Sequence, residues 1–142
     1  MIKKTARKAI FAAACLFFAT PALADDSLYR DLGGLDGIKK FVDVEMAYHL
    51  ENPRIMHQFD ETNIDRLKEQ LVIFFCQTAG GPCKYTNHDM KVVHQGMHLT
   101  NVDFNALVED MQKAMDDQGI PFSVQNRLLA RLAPYQRQVV TK

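Results

Sequence analysis

Apolar residues recur three and four apart through four stretches of this chain, and no stretch alternates with the two-residue period of a strand. Such a chain folds by burying helix stripes against one another. The first stripe covers residues 36–51, with Ile38, Phe41, Val42, Met46 and Leu50 on one face. Gly33-Gly34 precedes it, and Asn52-Pro53 ends it because a residue before proline is pushed out of helix. The second opens at Thr62, with Asp65 three residues on in a box-like cap, and carries Ile64, Leu67, Leu71, Phe74 and Phe75. Gly80-Gly81-Pro82 stops it, residues 84–87 read as loop, and a brief helix is expected over 88–96. Thr100 and Asp103 cap a third long helix with Phe104, Leu107, Val108, Met111 and Met115 inward, ending at Gly119. Ser123 is expected to cap the last, with Val124, Leu128, Leu132 and Tyr135 inward and Pro134 bending it. Two helical hairpins laid across each other satisfy all four stripes, an all-α architecture.

The first 24 residues read differently. Lys3, Lys4, Arg7 and Lys8 precede an apolar run from Ala9 to Phe18, and Ala22-Leu23-Ala24 offers the small-x-small pattern of a cleaved export signal. The run is shorter than the roughly 20 apolar residues of a membrane-spanning helix. Residues 1–24 are therefore expected to be a signal peptide and residues 25–142 a single domain, periplasmic or secreted, with no stable membrane insertion. Losing those four cations from a chain of formal net charge +0 leaves −4, which argues against a nucleic-acid partner. Cys15 departs with the signal. In an oxidising compartment Cys76 and Cys83 can pair across the flexible Gly80-Gly81-Pro82 turn; the alternative is two free thiols. The absence of Cys-x-x-Cys leaves a thioredoxin-type site and a covalent c-type haem unsupported.

No Gly-x-Ser-x-Gly, phosphate-binding loop or paired-carboxylate motif occurs, so no catalytic residue is assigned. Histidines carry the remaining chemistry. His94 and His98 are four apart, but Gly96 lies between them, and Gln95 replaces the glutamate of a His-Glu-x-x-His zinc motif. Spacing alone leaves His94 open between a ligand and an ordinary side chain. The core is rich in flat, soft groups, namely Met46, Phe59, Phe74, Phe75, Met90, Phe104 and Met111. They suit either plain packing or the walls of an apolar cofactor pocket.

At these residues the sequence resembles the group 1 truncated haemoglobins. The likeness runs through Ser27-Leu28-Tyr29, Leu32-Gly33-Gly34, Arg66-Leu67-Lys68, Phe74-Phe75, Gly80-Gly81-Pro82 and Tyr85-Thr86. Met90-Lys91-x-x-His94-x-Gly96 is its most specific part, followed by Leu99-Thr100, Phe104, Gly119-Ile120-Pro121 and Leu132-Ala133-Pro134. The resemblance implies a two-over-two helical sandwich around haem b, with His94 as the iron ligand. It places Phe59 against the ring and Leu67, Leu71, Phe75 and Met90 around it, and gives Arg66, Tyr85 and Lys91 to the propionates.

The departure lies on the distal side. The family's tyrosine position falls on Met46, and Tyr48 is two residues away, about 200° around the helix. The glutamine position of the second helix is Leu71. Met46, Leu67 and Leu71 together imply an apolar distal pocket. The function expected is reversible binding, or transport, of small diatomic ligands (O2, NO, CO). The alternative is a redox protein: electron transfer with Met46 closing on the iron beside His94, or nitric-oxide dioxygenase or peroxidase-like turnover served by an electron donor. Such turnover needs an acid–base group near the distal face; none is evident, and Tyr48 and His49 approach it only if the helix is rotated.

Overall fold

The computed structural model describes residues 25–142. The expected signal peptide, residues 1–24, lies outside them. Seven helices follow in order: α1 (Ser27–Asp31), α2 (Gly34–Glu51), α3 (Ile64–Thr78), α4 (Met90–Val93), α5 (Asn101–Asp117), α6 (Phe122–Leu132) and α7 (Gln136–Val139). Two 3-10 turns, Met56–Phe59 and Ala133–Tyr135, complete the described residues, which contain no strand. Helix α2 packs on both α3 and α5, α3 packs on α6, and α1 closes one end against α2 and α6. The short α4 rests on α7. The expected all-α, two-over-two arrangement is what the chain adopts.

The periodic residues form the core. Ile38, Phe41, Val42 and Met46 of α2 meet Phe74 and Phe75 of α3, Met111 and Met115 of α5, and Val124 and Leu128 of α6. Phe41 and Phe75 stack at an angle with centroids 5.2 Å apart. Leu50 is the exception: it is exposed, and Glu45 and His49 are buried in its stead. Positions 38, 41, 42, 45, 46 and 49 follow the three-four rhythm of one helix face, and Leu50 lies beyond its edge.

Caps fix where the helices begin. Thr100 and Asp103 form a reciprocal box at the start of α5, as the sequence suggests. The α3 cap is Asn63, not Thr62; its side chain accepts from the Arg66 N–H at 3.0 Å. Ser123 does not cap α6. Pro121 holds that place in an extended conformation, and Ser123 falls inside the first turn. The helix expected over residues 88–96 shrinks to the single turn of α4, capped by Asp89, and Gly96 then takes a φ of 82°. After α3 the chain reverses through Gly80, at φ 88°. A side chain on the next residue, Gly81, would strike the Tyr29 ring and the Cys76 sulfur. Cys76 and Cys83 are joined there as a disulfide.

Candidate functional site

Two adjoining cavities open between α2, α3, α4 and α5, of about 160 Å³ and 420 Å³. Phe59, Leu67, Leu71, Phe74, Met90 and His94 line both. The inner cavity adds Met46, Phe75, Phe104 and Met111, so its walls are mostly thioether, aromatic and branched aliphatic groups. The outer one widens to a polar mouth with Asn63, Arg66, Gln70, Tyr85 and Asn87. The mouth is shaped by local bonds: the Tyr85 N–H donates to the Gln77 side chain at 2.7 Å, and the Tyr85 ring stands edge-on to Phe74 at 5.4 Å.

His94 occupies the residue after the last turn of α4. Its Nδ1 lies 2.7 Å from the Met90 carbonyl oxygen. A carbonyl only accepts, so Nδ1 carries the proton and Nε2 keeps its lone pair on the opposite side of the ring. That tautomer is the one a metal takes, and the backbone bond fixes the ring's orientation. His98 belongs to no common helix face with it, because α4 ends at Val93 and His98 sits at φ 53°. No group of three or more metal-binding side chains forms among the described residues.

The donor set fits a flat iron-bearing ring with an anionic edge. One neutral imidazole faces an apolar slot, and the slot ends in a mouth bearing a guanidinium and a phenol. Of the residues assigned to such a ring from sequence, Phe59, Leu67, Leu71, Phe75, Met90 and His94 line the cavities, with Arg66 and Tyr85 at the mouth. Lys91 is exposed on α4 and lines neither cavity. Met46 is fully buried on the inner wall. Tyr48 points away, and its hydroxyl donates to Asp117 at 2.6 Å.

Two polar side chains join the largely apolar wall to which Met46, Leu67 and Leu71 contribute. Glu45 and His49 also line the inner cavity, each 2% exposed. The reason is helical phase: both fall on the core face of α2. His49 Nε2 lies 3.7 Å from Glu45 Oε1, and its Nδ1 lies 3.4 Å from Asp110 Oδ2. Asn52 donates to the same Asp110 oxygen at 2.7 Å, and Lys113 reaches the other at 3.3 Å. The His49 ring lies parallel to Phe59, with centroids 5.8 Å apart. Burial raises the Glu45 carboxyl above the usual carboxylate range, although His49 works against it. Burial also disfavours charge on His49, but the two flanking carboxylates outweigh it and hold the imidazole above its ordinary value. Asp110 is desolvated too, yet the bonds from Asn52, His49 and Lys113 keep it below the usual range. The sequence signal for this group was available: two polar residues in phase with an apolar stripe.

The profile of the bacterial-like globin family matches residues 27–141. A group 1 truncated haemoglobin of Mycolicibacterium paratuberculosis is 30% identical over 115 residues, covering 81% of this chain and 85% of that protein. The chain belongs to the group 1 truncated haemoglobin family. Another member, from Tetrahymena pyriformis, is 30% identical over 100 residues, covering 70% of this globin and 83% of its own length. The crystal structure of the Tetrahymena pyriformis truncated haemoglobin in its Fe(III) form superposes with a TM-score of 0.78 at 27% identity, covering 81% of this globin and 98% of that chain. The 2/2 haemoglobin of Synechococcus, solved in a cyanomet state with covalently attached haem, shares the fold at 20% identity and a TM-score of 0.76, covering 81% of this globin and 98% of that chain.

Proposed function

We propose that this globin holds haem b through His94 Nε2 and reversibly binds small diatomic gases on the opposite side of the ring. The observation that carries this reading is the His94 ring, tied by Nδ1 to the Met90 carbonyl and lining both cavities. Bound haem supplies an iron centre that takes a gas molecule as an additional ligand. The chain's own residues do the rest. Phe59, Leu67, Leu71 and Phe75 clasp the ring and exclude water. Arg66 and Tyr85, at the mouth, meet its propionates. Met46 walls the distal side and offers a gas ligand no hydrogen-bond donor.

The test is an absorbance spectrum of the purified protein. An intense Soret band is expected, and a His94→Ala variant should lose it or shift it strongly. A colourless wild-type protein, or an unaltered band and gas affinity in the variant, overturns the reading.

Export belongs to the same proposal. The basic start, the short apolar run and Ala22-Leu23-Ala24 support removal of residues 1–24, and an oxidising destination suits the Cys76–Cys83 pair. Intact mass of the protein recovered from producing cells should correspond to a chain beginning at Asp25. A mass that retains Met1 contradicts it.

A further inference from the structure

The buried side chains Glu45, His49 and Asp110 have no part in holding a ring or an apolar gas. Stripping a carboxylate, an imidazole and a second carboxylate of water is costly, and an apolar residue at each place would pack without that cost. The two ring nitrogens of His49 face different carboxylates, Nε2 toward Glu45 and Nδ1 toward Asp110. Glu45 stands on the inner cavity wall, and its Oε2 is buried without any hydrogen-bond partner. His49 comes next, stacked on Phe59. Asp110 follows and lines a separate recess of about 450 Å³ on the outer surface, with Tyr48, Glu51, Asn52, Pro53, Arg54 and Lys113. The row therefore joins the inner cavity to the outer recess.

We propose that Glu45, His49 and Asp110 form a proton path between solvent and the distal cavity, serving ligands that are weak acids, H–X, hydrogen peroxide among them. This rests on the haem-binding reading above. Such a ligand binds as its anion and must first lose its proton. The H–X bond breaks, its electron pair stays on X, and the proton forms a new O–H bond at Glu45. Glu45 passes a proton to His49 Nε2 while His49 Nδ1–H gives one to Asp110, which exchanges it with the outer recess. No electron moves, and the proton count balances at each transfer. The 3.7 Å between Glu45 and His49 closes to a hydrogen bond with a shift of about 0.7 Å. A carboxyl that burial holds above its ordinary range is poised to accept and release protons nearer neutrality.

The charged surroundings keep the outward end ionised, free to take a proton and quick to give it up to solvent. Lys113 and Asn52 hold Asp110 anionic from α5 and the turn after α2. Arg54 is occupied by Glu109, and Tyr48 by Asp117, so neither competes for His49. The other titratable groups lining the inner cavity are His94, whose Nδ1 is bound to Met90, and Tyr135.

Hydrogen cyanide, a weak acid, and carbon monoxide, which carries no proton, separate this role from packing. Association of hydrogen cyanide with the ferric holoprotein near neutral pH should slow by at least about tenfold in Glu45→Gln, the scale of a lost general base. Carbon monoxide association with the ferrous protein should stay within about twofold. Asp110→Asn, at the outer end, should slow hydrogen cyanide in the same selective way, which guards against a misfolded inner variant. Infrared spectra recorded as pH is lowered should show a buried carboxylic-acid carbonyl band growing in at the expense of a carboxylate band in wild type, a change that Glu45→Gln removes. Equal slowing of both ligands, or of neither, overturns the path, as does a missing infrared band. Absence of a Soret band in wild type refutes the haem reading instead, so the two failures are distinguishable.

Discussion

Met46 and Glu45 are chain neighbours on α2 that face the same cavity with opposite chemistry. A hydroxyl at position 46 would give a polarised ligand a donor that the thioether lacks. Such a hydrogen bond contributes roughly 1–3 kcal/mol, or about ten- to a hundredfold in retention. Met46→Tyr should therefore slow oxygen dissociation by about that factor in stopped-flow measurements, with carbon monoxide release changed less. An unchanged oxygen off-rate would show that position 46 does not face the ligand. The position of Met46 was legible by counting from Gly34 and Pro53. Glu45 takes no role from the sequence and His49 enters only through a rotated helix, because an apolar stripe ending at Leu50 turns both away from the core. Hydrophobicity alone favours a leucine over a histidine, whereas helical phase favours residue 49.

Helix boundaries were readable wherever a single cap candidate stood alone. Thr100 and Asp103 bond reciprocally, with the Asp103 N–H donating to the Thr100 hydroxyl oxygen and the Thr100 N–H donating to the carboxylate. Thr100→Ala should lower unfolding free energy by about 1 kcal/mol in urea titrations. The Thr100 hydroxyl and N–H hold the Asp103 carboxyl below its usual range. Its folded value is depressed, so its contribution is present above the unfolded carboxylate value of about 3.9 and is lost as pH falls through the lower folded one. Asp103→Asn should flatten the acid limb of the stability curve; an unaltered limb would assign that loss to other carboxylates. At α3, Thr62 and Asn63 are both good caps, and the choice falls to whichever backbone is extended next to the helix, here Asn63. At α6, Pro121 enforces that extension and leaves Ser123 within the helix.

The whole architecture followed from four apolar stripes, because amphipathic helices of this length have few ways to bury their faces together. The cavities did not follow. Periodicity says which side of a helix is inward but not whether inward side chains meet or leave a gap, so Phe59, Met90 and Phe104 read equally as packing or as lining. The Cys76–Cys83 bond likewise depends on a turn whose geometry only the folded chain displays. Closing so short a loop is worth about 2–3 kcal/mol in the chain-entropy account. Cys83→Ser should cost that much in denaturant unfolding, and a thiol reductant should reproduce it in wild type; no change in either would mean that the bond constrains nothing. That bond also moors one end of the segment that carries His94. Its other end is moored at the Leu99 carbonyl, which accepts from the N–H groups of Thr141 and Lys142 at 2.9 and 3.2 Å. Between those two anchors His94 rides on a span with only one helical turn to stiffen it. How far its imidazole can travel into or out of the cavity is therefore governed by the tautness of its moorings, as the sag of a cable is governed by its towers.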